Sequence, residues 1–362
     1  MLLDGIRVID FSQYIPGPFA SLRLAELGAE VINVEPLTGD PARGFKQQPA
    51  GSGSVYTANN YNKKSITINL KSEKGQKLAG DLIKKSDVVI ESFRPGVMKR
   101  FGLDYENLKE INKNIIYCSL TGYGQEGNMS SLGSHDINYL SVSGILAQFK
   151  DSNKRPVIPN ITLADLIGGI AASESILSAL YQREISGKGM YIDFSIRDTV
   201  LSLMNTHLDI EQNTGEVNGV ALLTGEIVSY NIYQTKDNRY ISLAALEPKF
   251  WANFCEATGC QEWIEAQYSK AEEENVIYRE IKELFKSKTF REWAEFGLAV
   301  DSCLTPVFEV NELYSNPYLD NKEVYNNKNS SPVLGEHTND ILKKILKKNE
   351  EEISLLRAEN VI

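Results

Sequence analysis

Ile6-Arg7-Val8-Ile9-Asp10-Phe11, the loop Pro16-Gly17-Pro18, the segment Phe19 to Leu27, Gly28, and then Val31-Ile32-Asn33-Val34 form the stretch that decides the fold. The first six residues read as a strand. A helical pattern runs from Phe19 to Leu27, with Gly28 placed to cap its end. Val31 to Val34 reads as a second strand. The whole is a β-α-β unit.

The alternation continues outward from there. Ile66, Ile68 and Leu70 recur at every second position, as in a half-buried strand. Lys74 to Lys85 is helical, Asp87 to Glu91 a short buried strand, Val97 to Lys109 helical again, and Ile115 to Leu120 another strand. Strands alternating with helices predict a largely parallel sheet covered on both faces. Ala164 to Arg183 reads as a long helix made slim by Gly168, Gly169, Ala171, Ala172 and Ser173. Each glycine inside a helix costs roughly 1 kcal/mol relative to alanine, so close approach of a neighbour or a ligand is the expected motive.

The texture changes after residue 215. Ile227 to Thr235 and Tyr240 to Leu246 predict a hairpin around Lys236-Asp237-Asn238-Arg239. Charge-rich helical segments follow from Pro248 to Leu298. Ser315 to Ser331 reads as a linker, and Thr338 to Glu359 as one terminal amphipathic helix whose basic and acidic blocks form a solvated face.

The chain has 362 residues, 42% hydrophobic and 24% charged, as in an ordinary soluble globular protein of about two domains. The net charge of −10 argues against a general nucleic-acid binder. A small polyanion needs only a local positive pocket. The place to look is Asn62-Lys63-Lys64 and Arg94 with Lys99 and Arg100. No apolar run is read as a membrane span, and Met1-Leu2-Leu3-Asp4-Gly5 lacks the features of a secretory signal. Four scattered cysteines without a CxxC pair read as reduced packing residues, which predicts a cytoplasmic protein.

Two stretches carry candidate chemistry. Gly133-Ser134-His135-Asp136-Ile137-Asn138-Tyr139 holds one of only three histidines, and Leu163-Ala164-Asp165-Leu166-Ile167-Gly168-Gly169 places a carboxylate at the start of the slim helix. A histidine and a carboxylate brought to one cleft can act as two proton-transfer groups. His135 is equally readable as a capping or core residue, and Asp165 as an acid favoured by the helix dipole. Asp136 points away from His135 in extended structure and is the weaker partner. Glu247, just before Pro248, is a third candidate, with N-terminal capping as its alternative.

Other classes find less support. Glu35 ends the second strand where a ribose-binding acid would stand, but Tyr14-Ile15-Pro16-Gly17-Pro18 contains no GxGxxG and its prolines remove backbone donors, which argues against a dinucleotide site. No histidine has a partner at metal-ligand spacing, so no metal is expected. There is no GxSxG for a hydrolase nucleophile.

Taken together, Asp4-Gly5-Ile6-Arg7-Val8-Ile9-Asp10, Leu24 to Pro36, Asn62-Lys63-Lys64-Ser65-Ile66, Glu91-Ser92-Phe93-Arg94-Pro95-Gly96, Thr121-Gly122-Tyr123-Gly124-Gln125, Gly187-Lys188-Gly189 and Gly335-Glu336-His337-Thr338 resemble the class III CoA-transferase (CaiB/BaiF) family. The resemblance spans residues 1 to 340. Within that family the chain is most similar to the α-methylacyl-CoA racemases, through His135 before Asp136-Ile137-Asn138-Tyr139, Asp165 in Ala164-Asp165-Leu166-Ile167-Gly168-Gly169, Glu247 in Glu247-Pro248-Lys249-Phe250, and Asp301-Ser302-Cys303-Leu304-Thr305-Pro306-Val307.

The resemblance implies a Rossmann-like α/β large domain made from both chain ends (residues 1–215, with 325–362 returning to it), a smaller α+β domain at 225–320, and an interlocked homodimer. It implies an acyl-CoA substrate, with coenzyme A as part of that substrate and neither a redox nor a metal cofactor. His135 and Asp165 are then the proton-transfer pair and Glu247 the partner of His135, with backbone N–H groups at the start of the Asp165 helix facing the thioester oxygen. Arg94, Lys63, the Ile15-Pro16-Gly17 loop, Tyr123 and Gly124 are expected along the CoA. The transferases of the family share the sheet and the aspartate, using it as a nucleophile; CoA transfer through Asp165 is the alternative activity. No nucleic-acid or membrane partner is expected.

Overall fold

The computed structural model describes residues 1–45, 53–151, 153–319 and 330–362. They divide into two compact units, Met1–Met204 with Asn327–Ile362, and Asn205–Asn326.

The first unit is built on six parallel strands: β1 (Arg7–Asp10), β2 (Glu30–Glu35), β3 (Lys64–Thr67), β4 (Val88–Glu91), β5 (Ile116–Thr121) and β6 (Met190–Ser195), in the order β3-β2-β1-β4-β5-β6. Successive strand residues face opposite sides, and both sides are covered. Val8, Val31, Val88 and Ile116 pack with Leu24, Ala172 and Ile176 on one face; Ile9, Ile32, Val89 and Ile66 pack with Leu78, Leu82, Ile341 and Ile353 on the other. This two-sided burial is why the strands read as nearly continuous apolar runs. The C-terminal segment completes the β3 edge: His337 N–H donates to Ser65 O, and Asn69 N–H to Val361 O.

The long helix spans Leu163–Ser186. A Cβ on Gly169 would stand 2.8 Å from Pro16 O, and one on Gly168 would stand 3.0 Å from Ile196. The glycines therefore serve close packing against the Pro16–Glu26 helix and Ile196. By length and composition this helix is sufficient to cross a membrane, contrary to the expectation from the apolar runs. In this fold it is a sheet-covering helix, with Ala164, Gly168, Ala172, Ile176 and Ala179 buried.

Two predicted helices are each divided. Val97 to Lys109 becomes Val97–Arg100 and Tyr105–Ile111, because Gly102 takes a left-handed φ of +66°. The terminal helix becomes Thr338–Lys344 and Glu350–Ala358: Lys347 adopts φ +58°, and Asn349 restarts the chain with a capping box to Glu352.

The second unit carries an antiparallel sheet of β7 (Tyr230–Gln234), β8 (Tyr240–Ala244) and β9 (Leu304–Pro306). Its core is aromatic, with Trp251, Phe254, Phe285 and Trp293 fully buried. Part of the expected linker, residues 320–329, lies outside the described residues; Pro317–Leu319 before it forms a short 3-10 turn.

Candidate active site

The strand order reverses between β1 and β4, and ligands of open α/β sheets bind beyond the carboxyl ends of the strands at such a point. A cavity of about 660 Å³ opens there in the first unit. Its walls are the segments that follow β1 (Gln13 to Pro16), β4 (Ser92 to Pro95) and β5 (Thr121 to Tyr123), and it is closed by His135, Asp136, Tyr139 and Asp165.

His135 and Asp165 thus line one cavity. His135 is exposed and extended (φ −139°, ψ 173°) at the N-cap of the Asp136–Val142 helix, where its N–H donates to Asn138 Oδ1 at 3.0 Å. Asp165 is the third residue of the Leu163–Ser186 helix. Burial, followed by the neighbouring Asp136 charge, pushes its carboxyl up to about 7. A carboxyl with that affinity exists in both protonation states near neutral pH, as a group that alternates between acid and base requires.

Asp136 has a role that an extended reading does not reveal. It starts a helix, and its Oδ1 accepts the N–H of Asp165 at 3.0 Å. That N–H is therefore engaged and is not one of the helix-start donors free to face a thioester oxygen. Tyr139 comes from the same short helix. Its hydroxyl accepts from Ser134 Oγ at 2.9 Å, and its ring stands edge-on to Tyr123 at 5.6 Å. Gly122 permits this arrangement, because a Cβ there would lie 2.5 Å from the Tyr139 hydroxyl and 2.7 Å from Ser134 Oγ.

Of the residues expected along a CoA, Ile15, Pro16, Arg94 and Tyr123 line the cavity, whereas Gly17 and Gly124 are not among its lining residues. Gly17 packs on Ser12, and Gly124 adopts φ +82° opposite Asp193. Arg94 is exposed on the loop after β4. That loop is held from below by Glu91, whose buried carboxyl accepts the Phe93 N–H at 2.8 Å and is pushed up to about 7 by burial. Sequence reading missed Glu91, although an acid ending a buried apolar strand is a visible signal.

Lys63 corrects the expectation of a phosphate ligand. Its ammonium is sealed from solvent, donating to Pro18 O and Asn60 Oδ1 at 2.8 Å each and standing 3.5 Å from Asp10 Oδ2. Neighbouring Lys64 pairs with Glu30 on the adjacent strand. Glu35 is likewise an internal residue: Arg43 Nε donates to it at 2.7 Å, and Ser65 and Tyr56 add hydrogen bonds. Burial opposes its charge, but these partners hold its carboxyl below the usual range.

Glu247 belongs to the second unit. There it is exposed at the N-cap of the Pro248–Thr258 helix, and it is not among the residues lining the His135–Asp165 cavity.

A second cavity of about 390 Å³ lies at the carboxyl ends of β2 and β3, bounded by Pro36, Ile68, Leu70, Lys71 and Phe101. Gln13 and Phe93 line both cavities, so the two adjoin. Together they form a trough along the carboxyl ends of the strands, and His135 and Asp165 line its larger part.

The profile of CoA-transferase family III matches residues 3–338. The chain belongs to CoA-transferase family III. Human succinyl-CoA:glutarate CoA-transferase is 30% identical to it over 394 aligned residues, which cover 99% of this chain and 90% of the relative. Human alpha-methylacyl-CoA racemase is 29% identical over 387, covering 100% and 98%. Among solved structures, a CAIB/BAIF family protein from Brucella suis superposes with a TM-score of 0.81 at 25% identity, covering 94% of this chain and 98% of its own. The chain is thus an enzyme of family III, similar to both racemases and transferases.

Proposed function

We propose that this family III enzyme inverts the α-carbon of 2-methylacyl-CoA thioesters. The observation that carries this reading is the presence of His135 and Asp165 in one cavity, with the Asp165 carboxyl pushed up to about 7. One of the pair removes the α-proton, and the Cα–H electron pair becomes the enolate of the thioester. The other returns a proton to the opposite face. The products differ from the substrates only in configuration, so either residue serves as the base in one direction and the acid in the other.

The trough supports the placement of the substrate. Its acyl end lies at His135 and Asp165, the pantetheine passes Ile15 and Pro16, and Arg94 offers a charge to phosphate. Glu247 is retained as the proposed partner of His135 on the family resemblance alone. The enzyme is further proposed to be a homodimer. Ile170, Tyr181 and Ile185, spaced along one stripe of the Leu163–Ser186 helix, are 44%, 71% and 66% exposed, an unusual apolar load for open surface.

CoA transfer, with Asp165 as nucleophile, is favoured by the 30% identity to a transferase. A carboxyl raised to about 7 presents only part of its population as the nucleophilic carboxylate at neutral pH, unlike an ordinary aspartate, which weighs for proton transfer. Incubation of a 2-methylacyl-CoA in deuterium oxide, with and without an acceptor acid, separates the two. α-Deuteration without acceptor supports racemisation. Transfer of CoA to the acceptor, with no α-deuterium, replaces it with transferase chemistry.

A further inference from the structure

We propose that Asp136 is the positioning residue of this site, its carboxylate strapping the helix that carries Asp165 to the turn that carries His135. The inference rests on the proton-pair reading above and adds a residue to it. Asp136 follows His135 directly, and its Oδ1 lies 3.0 Å from the amide nitrogen of Asp165, 29 residues further on. The first turn of any helix leaves amide donors without intrahelical partners. Here Thr162, at the N-cap of the Leu163–Ser186 helix, makes no side-chain cap. A carboxylate from another element supplies the missing acceptor, and it does so at the amide of the reactive residue itself.

The strap has two consequences. It ties the helix that carries Asp165 to the turn of His135 through a single side chain, and the backbone of that turn is itself held where the His135 N–H donates to Asn138 Oδ1. It also sets a second negative charge beside the Asp165 carboxyl, and like charges disfavour ionisation. The other titratable or charged groups lining the same cavity are His135 and Tyr139 from the Asp136 segment, Tyr14 after β1, Arg94 after β4 and Tyr123 after β5. Asp136 is the one tied by hydrogen bond to the Asp165 backbone. Asp136 therefore acts through Asp165, on both its place and its proton.

Asp136→Asn keeps an acceptor oxygen and removes the charge; Asp136→Ala removes both. The full-length protein is labelled with carboxyl-¹³C aspartate, and the Asp165 signal is identified by its loss in Asp165→Asn. The Asp165 titration midpoint is expected to fall by about one half to one pH unit in Asp136→Asn. In Asp136→Ala, kcat for α-deuteration is expected to fall about tenfold or more with KM within about twofold, since small misplacements of a reacting group are costly. Asp136→Asn should restore part of that rate. An unmoved Asp165 midpoint in Asp136→Asn, with kcat of both variants within about twofold of wild type, overturns the proposal. If wild-type enzyme incorporates no α-deuterium, the racemase reading fails, and the Asp165 titration alone then decides the role of Asp136. If Asp136→Ala does not fold, the asparagine variant carries the test.

Discussion

Lys63 Nζ lies 3.5 Å from Asp10 Oδ2, and both side chains are sealed from solvent. Asp10 ends β1, directly beneath the loop that walls the candidate active site, and it also accepts from the hydroxyls of Ser12 and Ser21. Burial pulls the Lys63 ammonium down to about 8, against the opposing field of Asp10, and it remains charged at neutral pH. A basic residue that looks available in the sequence is thus an internal brace.

Lys63→Met should accordingly destabilise the protein and leave CoA affinity largely unchanged. Removing one partner of a buried pair strands the other charge and typically costs about 3–5 kcal/mol. For a unit of this size that corresponds to a fall of about 10 °C in melting temperature. Calorimetric melting together with CoA titration of the surviving folded protein tests this. A variant that melts like wild type but loses CoA would return Lys63 to the ligand site.

Arg94→Ala should show the opposite pattern. Arg94 is exposed on the cavity wall, so melting should change little while CoA binding weakens. The loss should be larger at low salt than at high salt, because charge contacts open to solvent are screened within about 10 Å at 0.1 M ionic strength. Titration calorimetry at two salt concentrations reads the effect; equal affinity of variant and wild type at both would remove Arg94 from phosphate binding.

Asp165→Asn should stabilise the fold at high pH. The folded carboxyl titrates at about 7 against an ordinary 3.8. Such a raised value favours the fold fully below the ordinary value, and that contribution is lost as pH rises through the folded one. The shift corresponds to about 4 kcal/mol, of which solvent in the open cavity screens roughly half. Asn carries no charge to bury. The variant should gain about 4 °C in melting temperature at pH 8 relative to wild type and almost nothing at pH 4. Equal shifts at both pH values would show that Asp165 is not held protonated by the fold.

The parallel sheet was legible in the sequence because burial on both faces leaves uninterrupted apolar runs such as Val88-Val89-Ile90. The break in the terminal helix was not read, since Ile341, Leu342, Ile345, Leu346 and Ile353 carry an apolar pattern straight across it. The signal was nonetheless there, in the Asn349-to-Glu352 capping box. At the site, residue types pointed to His135 and Asp165, but their shared cavity depends on tertiary placement. The same holds for the two residues misjudged from local sequence. Lys63 is neutralised by an aspartate 53 positions away, and Asp136 finds its partner 29 positions ahead. Local patterns report which groups can do chemistry; the long-range partner decides whether a charge is free to do it.

The proposed dimer gives the last prediction. The stripe of Ile170, Tyr181 and Ile185 is largely open in the single chain, and apolar side chains buried in an interface gain about 25 cal/mol per Å² removed from water. Replacing Tyr181 and Ile185 together by glutamate should therefore produce a smaller assembly, seen as a lower mass by native mass spectrometry, with the first unit still folded by circular dichroism. The family resemblance adds that the chains interlock. Threaded chains separate only through unfolding, so mixed labelled and unlabelled wild-type protein should exchange subunits over many hours rather than minutes. A folded wild-type monomer at nanomolar concentration would refute the dimer. Rapid exchange between intact dimers would refute only the threading, because an ordinary two-fold interface of the same stripe opens without unfolding either chain.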